Sequence, residues 1–179
     1  MSHNLLVRAT HWINFLSFLA LAVSGVAILV AHPRFYWGES GYFDTPAAFE
    51  LPLTVNLDQT GWSRDLHFLA AWIAVTNGVI YLAWGLLSRH FRYRDYGGLQ
   101  RLAYSSVILF GVVMVLSGLA IYKPVQLHFL TLLFGGYDGA RVVHLGGLVL
   151  LAMFVVTHLI LVASHPREIV KMITGGGRG

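Results

Sequence analysis

Arg141-Val-Val-His144-Leu-Gly-Gly-Leu-Val-Leu-Leu-Ala-Met-Phe-Val-Val-Thr-His158 is the stretch on which the fold turns. From residue 142 to residue 164 the chain carries no Asp, Glu, Lys or Arg. At about 1.5 Å per residue, a run of that length crosses a bilayer core of roughly 30 Å as an α-helix. Two histidines interrupt it, fourteen residues apart. Fourteen steps of about 100° fall roughly 40° short of four full turns, so the two rings share one face, about 21 Å apart along the axis.

Three further runs, 13–31, 66–87 and 102–122, are equally free of charge. They explain why a chain of 179 residues is 56% hydrophobic and only 11% charged, with a mean hydropathy of +0.67, where a soluble domain has roughly 25% charged residues. A water-soluble globule is excluded. Backbone polar groups in lipid must be satisfied within their own segment, and runs without period-two alternation fit helices rather than barrel strands. The expected fold is all-α: an integral membrane four-helix bundle forming a single domain over 1–179, with helices at about 5–31, 63–87, 100–122 and 139–165. The first run is too long for the apolar region of a signal peptide and ends in no clear small-residue cleavage site, so it is expected to stay in the mature protein.

Four crossings bring both termini to one side, together with the segment 88–101. That side carries Arg8, Arg89, Arg92, Arg94, Arg101, Arg167, Lys171 and Arg178, which is 8 of the 12 basic residues. The opposite side carries Glu39, Asp44, Glu50, Asp58, Asp65 and Asp138, which is 6 of the 8 acids. The basic bias predicts both termini cytoplasmic. It also accounts for the net charge of +4 as a solvated inner face against lipid, so no nucleic-acid partner is expected. The segment 32–62 is then external and long for a bare connection. Its aromatics (Phe35, Tyr36, Trp37, Tyr42, Phe43, Phe49) suit an interfacial belt or a docking surface.

Nine histidines are many for this length, and His11, His67, His144 and His158 lie in or just inside the apolar runs. Ionisable groups at membrane depth are costly and point to function. Because the helices alternate in direction, His67 is level with His144 near the outer side and His158 with His11 near the inner side. Two pairs, one per leaflet, are what two stacked b-type haems require. With no cysteine in the chain, covalent c-type attachment, iron–sulfur clusters and thiolate metal sites are excluded. Arginine stands three positions before three of the four histidines: Arg8, Arg64 and Arg141. Positions i and i+3 share a helix face, so each guanidinium lies one turn nearer water, where a haem propionate would emerge. Gly25, Gly78 and Gly147 share these faces and would let helices approach a porphyrin.

A repeat adds to the pattern. Ser24-Gly25-Val-Ala-Ile28 returns as Ser117-Gly118-Leu-Ala-Ile121, and Arg64-x-x-His67 returns as Arg141-x-x-His144. The two helical hairpins therefore look like divergent copies in parallel orientation, with Tyr104 and Tyr81 where the first and fourth helices carry His11 and His158.

On Arg8-Ala-Thr-His11-Trp12, Leu66-His67 and the His144–His158 spacing, the chain resembles the four-helix di-haem cytochrome b subunits of the bacterial cytochrome b561 superfamily, which anchor nickel–iron hydrogenases, formate dehydrogenases and thiosulfate reductases. The resemblance spans all four helices. It implies that two haems b are held by His67 with His144 and by His11 with His158, in the bacterial inner membrane. It also implies a quinone, menaquinone or ubiquinone, beside the inner haem, where Asn14, Gln100 and Tyr104 offer polar groups. The implied partner is an extracytoplasmic redox subunit, a molybdenum enzyme or a hydrogenase, docking on 32–62 and 125–138. Stand-alone relatives similar to superoxide:quinone oxidoreductases tend to begin the third helix with a histidine. Here the corresponding region, 99–106, has Tyr104 and no histidine, a departure that counts against the alternative, a stand-alone oxidoreductase.

Overall fold

The computed structural model describes residues 5–31, 34–35, 47, 49–50, 61–88 and 98–175. Along the chain these form α1 (Leu5–Ala31), the strand pair β1 (Arg34–Phe35) and β2 (Phe49–Glu50), α2 (Trp62–Leu87), α3 (Gly98–Tyr122), α4 (His128–Leu133), α5 (Tyr137–Ala163) and α6 (Pro166–Thr174). Four segments are long and apolar enough to cross a membrane: Leu5–Ala31, Trp62–Leu87, Ser105–Tyr122 and Tyr137–Ala163. The protein is an all-α integral membrane protein.

The chain divides into two compact units. One holds α1, α2, α5 from Val156 onward, and α6. The other holds β1, β2, α3, α4 and α5 as far as Val155.

In the first unit α1 packs on α2. The buried residues of α1 are Thr10, Ser17, Ser24 and Ala27; those of α2 are Ser63, Ala70, Asn77 and Gly85. On each helix the first three recur every seven residues, about two turns, so they form one stripe. Large apolar side chains such as Leu16, Val23, Leu69, Trp72 and Val79 are exposed instead. Lipid is as apolar as leucine, so helices gain little by hiding large aliphatic groups from it; close packing of small residues and interhelical hydrogen bonds hold the pair. Asn77 supplies two such bonds, its Nδ2 donating to the Thr10 carbonyl at 2.8 Å and to Asn14 Oδ1 at 2.7 Å. After α5, Pro166 opens α6, where its missing N–H costs nothing. Gly175 closes it with φ of 91°, a left-handed cap.

In the second unit Ala120 of α3, Leu130 of α4 and Ala140 of α5 form a buried cluster, surrounded by Leu116, Leu119, Ile121, Leu127 and Phe134. Gly135 and Gly136, with φ of 78° and 100°, turn the chain from α4 into α5. The strands pair antiparallel, Arg34 opposite Glu50 and Phe35 opposite Phe49. Phe35 is only 1% exposed, which removes it from the exposed aromatics that a belt or docking surface would use. Tyr36, Trp37, Tyr42 and Phe43 lie outside the described residues.

Candidate functional site

One turn and a half into α1, the His11 ring faces the His158 ring of α5, with centroids 6.1 Å apart and planes inclined at 59°. Trp12 meets His11 edge-on at 5.7 Å, and its Nε1 donates to the Met172 carbonyl of α6 at 3.4 Å. Asn77 fastens α2 to the same part of α1, through the Thr10 carbonyl.

His67 and His144 are held in a different way, and each in the same way as the other. In the first unit His67 Nδ1 lies 3.0 Å from Ser24 Oγ. In the second, His144 Nδ1 lies 2.9 Å from Ser117 Oγ. A Cβ added at Gly25 would come within 3.4 Å of His67 Cε1, and one at Gly118 within 3.2 Å of His144 Cε1. Each ring therefore rests on a Ser-Gly step of the neighbouring helix, and the two short repeats seen in sequence form equivalent seats.

Of the three arginines, Arg64 is exposed in the first turn of α2. Arg8 holds the end of α6: its Nε donates to the Met172 carbonyl at 3.1 Å and its Nη2 to that of Ile173. Cations suit the negative end of a helix, which explains the choice of residue. Arg141 donates to Asp138 Oδ1 at 2.9 Å and to the Arg34 carbonyl at 2.8 Å, and lies over the Phe35 ring at 4.4 Å. It thereby ties β1 to the first turn of α5.

Of the glycines, Gly25 meets His67 as described, Gly147 packs against Met114, and a Cβ at Gly78 would meet nothing within 4 Å. Asn14 accepts from Asn77, and the side chains of Gln100 and Tyr104 lie outside the described residues. Sequence reasoning missed three contributors. Ser24 and Ser117 were visible only as parts of a repeat, and Asn77 is an amide in an apolar run, a signal of the kind that singled out the histidines.

The donor set suits a haem. Two of its histidines, His11 and His158, face each other ring to ring. A porphyrin supplies four donors and asks the protein for two. The facing imidazoles of His11 and His158, with centroids 6.1 Å apart, are two such donors and would hold the group. The profile of the family described as prokaryotic cytochrome b561 matches residues 2–175. The chain belongs to that family. A protein of Azospira oryzae, provisionally named a protein-methionine-sulfoxide reductase subunit, YedZ1, is 32% identical over an alignment covering 94% of this chain and 93% of the relative. This cytochrome b561 is thus a multi-pass protein of the bacterial inner membrane, a haem-b subunit that works in electron transfer.

Proposed function

We propose that this cytochrome b561 carries electrons between a membrane quinone and an oxidoreductase on its extracytoplasmic face, through two haems b held by four histidines. The observation that carries the reading is the facing pair His11 and His158 at 6.1 Å, assigned to the inner haem. Helix direction and sequence depth assign His67 and His144 to the outer one. Both termini are then cytoplasmic. An iron with two imidazoles has no open position, so the cofactor supplies one-electron transfer rather than substrate binding. Arg64 is open to a propionate, whereas Arg8 and Arg141 would have to leave the backbone carbonyls they now hold.

The quinone belongs beside the inner haem, near Asn14, Gln100 and Tyr104. Support comes from an apolar groove lined by Ile13, Trp72, Ile73, Thr76, Asn77 and Ile80, whose Asn77 is bonded to Asn14. Menaquinone and ubiquinone both present the carbonyls such amides can meet. The relative's name points to the class of partner: a reductase of methionine sulfoxide. Reducing a sulfoxide to a thioether consumes two electrons and two protons and releases water. Quinol oxidation supplies the two electrons, which pass outward through the haems, while the two protons are taken up from the extracytoplasmic solution.

The test is a haem count with co-purification. The purified chain should give two haems per polypeptide by pyridine haemochrome, and quinol should reduce them. No haem at all would overturn the reading; one would force the pairing to be redrawn. Deleting Glu39 to Glu50 should leave haem content intact while an extracytoplasmic partner no longer co-purifies. Retained partner binding would remove the docking role of that loop.

A further inference from the structure

Ser24 and Ser117 stand 93 residues apart on α1 and α3, and each sets its hydroxyl oxygen against Nδ1 of a membrane histidine. The Ser24 hydroxyl lies 2.6 Å from the Ala20 carbonyl four residues back and 3.3 Å from that of Leu21. The Ser117 hydroxyl lies 2.8 Å from the Val113 carbonyl and 3.3 Å from that of Met114. A hydroxyl has one proton, and a carbonyl can only accept. The proton therefore goes to the backbone, and the oxygen turns a lone pair toward the ring nitrogen, Nδ1 of His67 at 3.0 Å and of His144 at 2.9 Å. That nitrogen must carry its own hydrogen. A neutral imidazole has a single N–H, so Nε2 keeps the lone pair.

We propose that Ser24 and Ser117 are positioning residues which hold His67 and His144 in the tautomer whose Nε2 binds iron, and which set the basicity of those two ligands. The inference rests on the reading of both histidines as haem ligands and deepens it. Two hairpins of divergent sequence keep the same arrangement, down to the glycine after each serine against Cε1. Simple helix packing requires a small residue at these places, but not an oxygen aimed at a ring nitrogen. An acceptor on Nδ1–H makes the imidazole a stronger donor, which favours ferric over ferrous iron and lowers the potential.

The experiment uses the haem-loaded full-length protein. Ser24→Ala and Ser117→Ala should each raise the midpoint potential of the outer haem, the one lost in His67→Ala, and weaken its retention by about 10–100-fold in competition with a haem scavenger. The inner haem should keep its potential. Ser24→Thr and Ser117→Thr preserve the oxygen and should hold the potential below that of the alanine variants, whatever the added methyl costs in packing. Ser24→Cys and Ser117→Cys preserve volume but offer a weak sulfur acceptor, so they should shift the potential upward even where an alanine variant fails to accumulate. Ser17→Ala, at a buried serine on the same helix, should change nothing. Wild-type potential and retention in the alanine and cysteine variants would overturn the proposal, as would a shift confined to the inner haem. A wild-type chain purified without haem would instead overturn the ligand reading itself.

Discussion

His67 and His144 lie against serine and glycine of a neighbouring helix, whereas His11 lies against another histidine. The first two rings are each gripped at Nδ1 and Cε1 by backbone-anchored groups. His11 is organised around the His158 ring, Trp12 and the end of α6. A gripped ring has its orientation and tautomer set before any cofactor arrives, which reduces the reorganisation needed for ligation. A ring facing its counterpart depends on both helices being in place. The outer seats should therefore be the more tolerant of loosening elsewhere, and the inner pair the more sensitive to it.

The comparison breaks most directly by removing ligands. His67→Ala and His144→Ala should each lose the outer haem, and His11→Ala and His158→Ala the inner one. Redox titration of the four variants should yield two matched pairs, each missing one component. If His11→Ala matched His144→Ala, the depth assignment would be wrong.

Gly118→Val and Gly25→Val probe the seats without touching a ligand. Even the first carbon of a side chain would come within 3.2 Å of His144 Cε1 and 3.4 Å of His67 Cε1, and overpacking costs roughly 1–3 kcal/mol. Outer-haem retention should fall by about 10-fold or more, further at Gly118 than at Gly25, while the inner haem stays. Equal loss of both haems would mean that the glycines serve general packing instead.

Much of this was legible in the sequence. The four apolar runs follow from composition and length, and the four histidines stand out because polar groups in such runs are rare. The Ser-Gly repeat was legible as a repeat, but its chemistry was not: small residues in a membrane helix look alike whether they pack or bond, and only the facing helix shows which. The arginines illustrate a second limit. Spacing three before a histidine gives the face and direction of Arg8 and Arg141, but not the competing acceptors, because those come from α6 and β1, far away in the chain. Asp138 with Arg141 is the exception, an i, i+3 pair that spacing alone predicts.

Arg141→Ala tests whether the outer structure depends on that residue. It leaves Asp138, with a side chain 3% exposed, without its salt-bridge partner and uncovers Phe35. Arg141 itself is partly solvated, which moderates the cost to about 1–2 kcal/mol. Haem content should survive, and limited proteolysis after β1 should quicken. Arg141→Lys should restore only part of the protection, since a lysine cannot reach carboxylate and carbonyl with one planar fork. Loss of the outer haem in Arg141→Ala, with the strand pair still protected, would point instead to a propionate contact.

The smallest expected effect belongs to Asn77→Leu, and it bears on the inner pair alone. The amide joins α2 to α1 through the Thr10 carbonyl and Asn14 Oδ1, one residue before and three after His11. Hydrogen bonds between membrane helices average about 0.6 kcal/mol, so losing two costs roughly 1 kcal/mol, while leucine adds bulk to a stripe otherwise built of small residues. That loss is a fewfold change in the folding equilibrium, visible as a lower melting temperature in detergent. If the inner ring depends on helix placement, the inner haem should also release a fewfold faster to a scavenger, with the outer haem unchanged. Equal acceleration of both would remove the distinction between gripped and facing rings, because the amide would then be stabilising the helices without favouring either histidine environment.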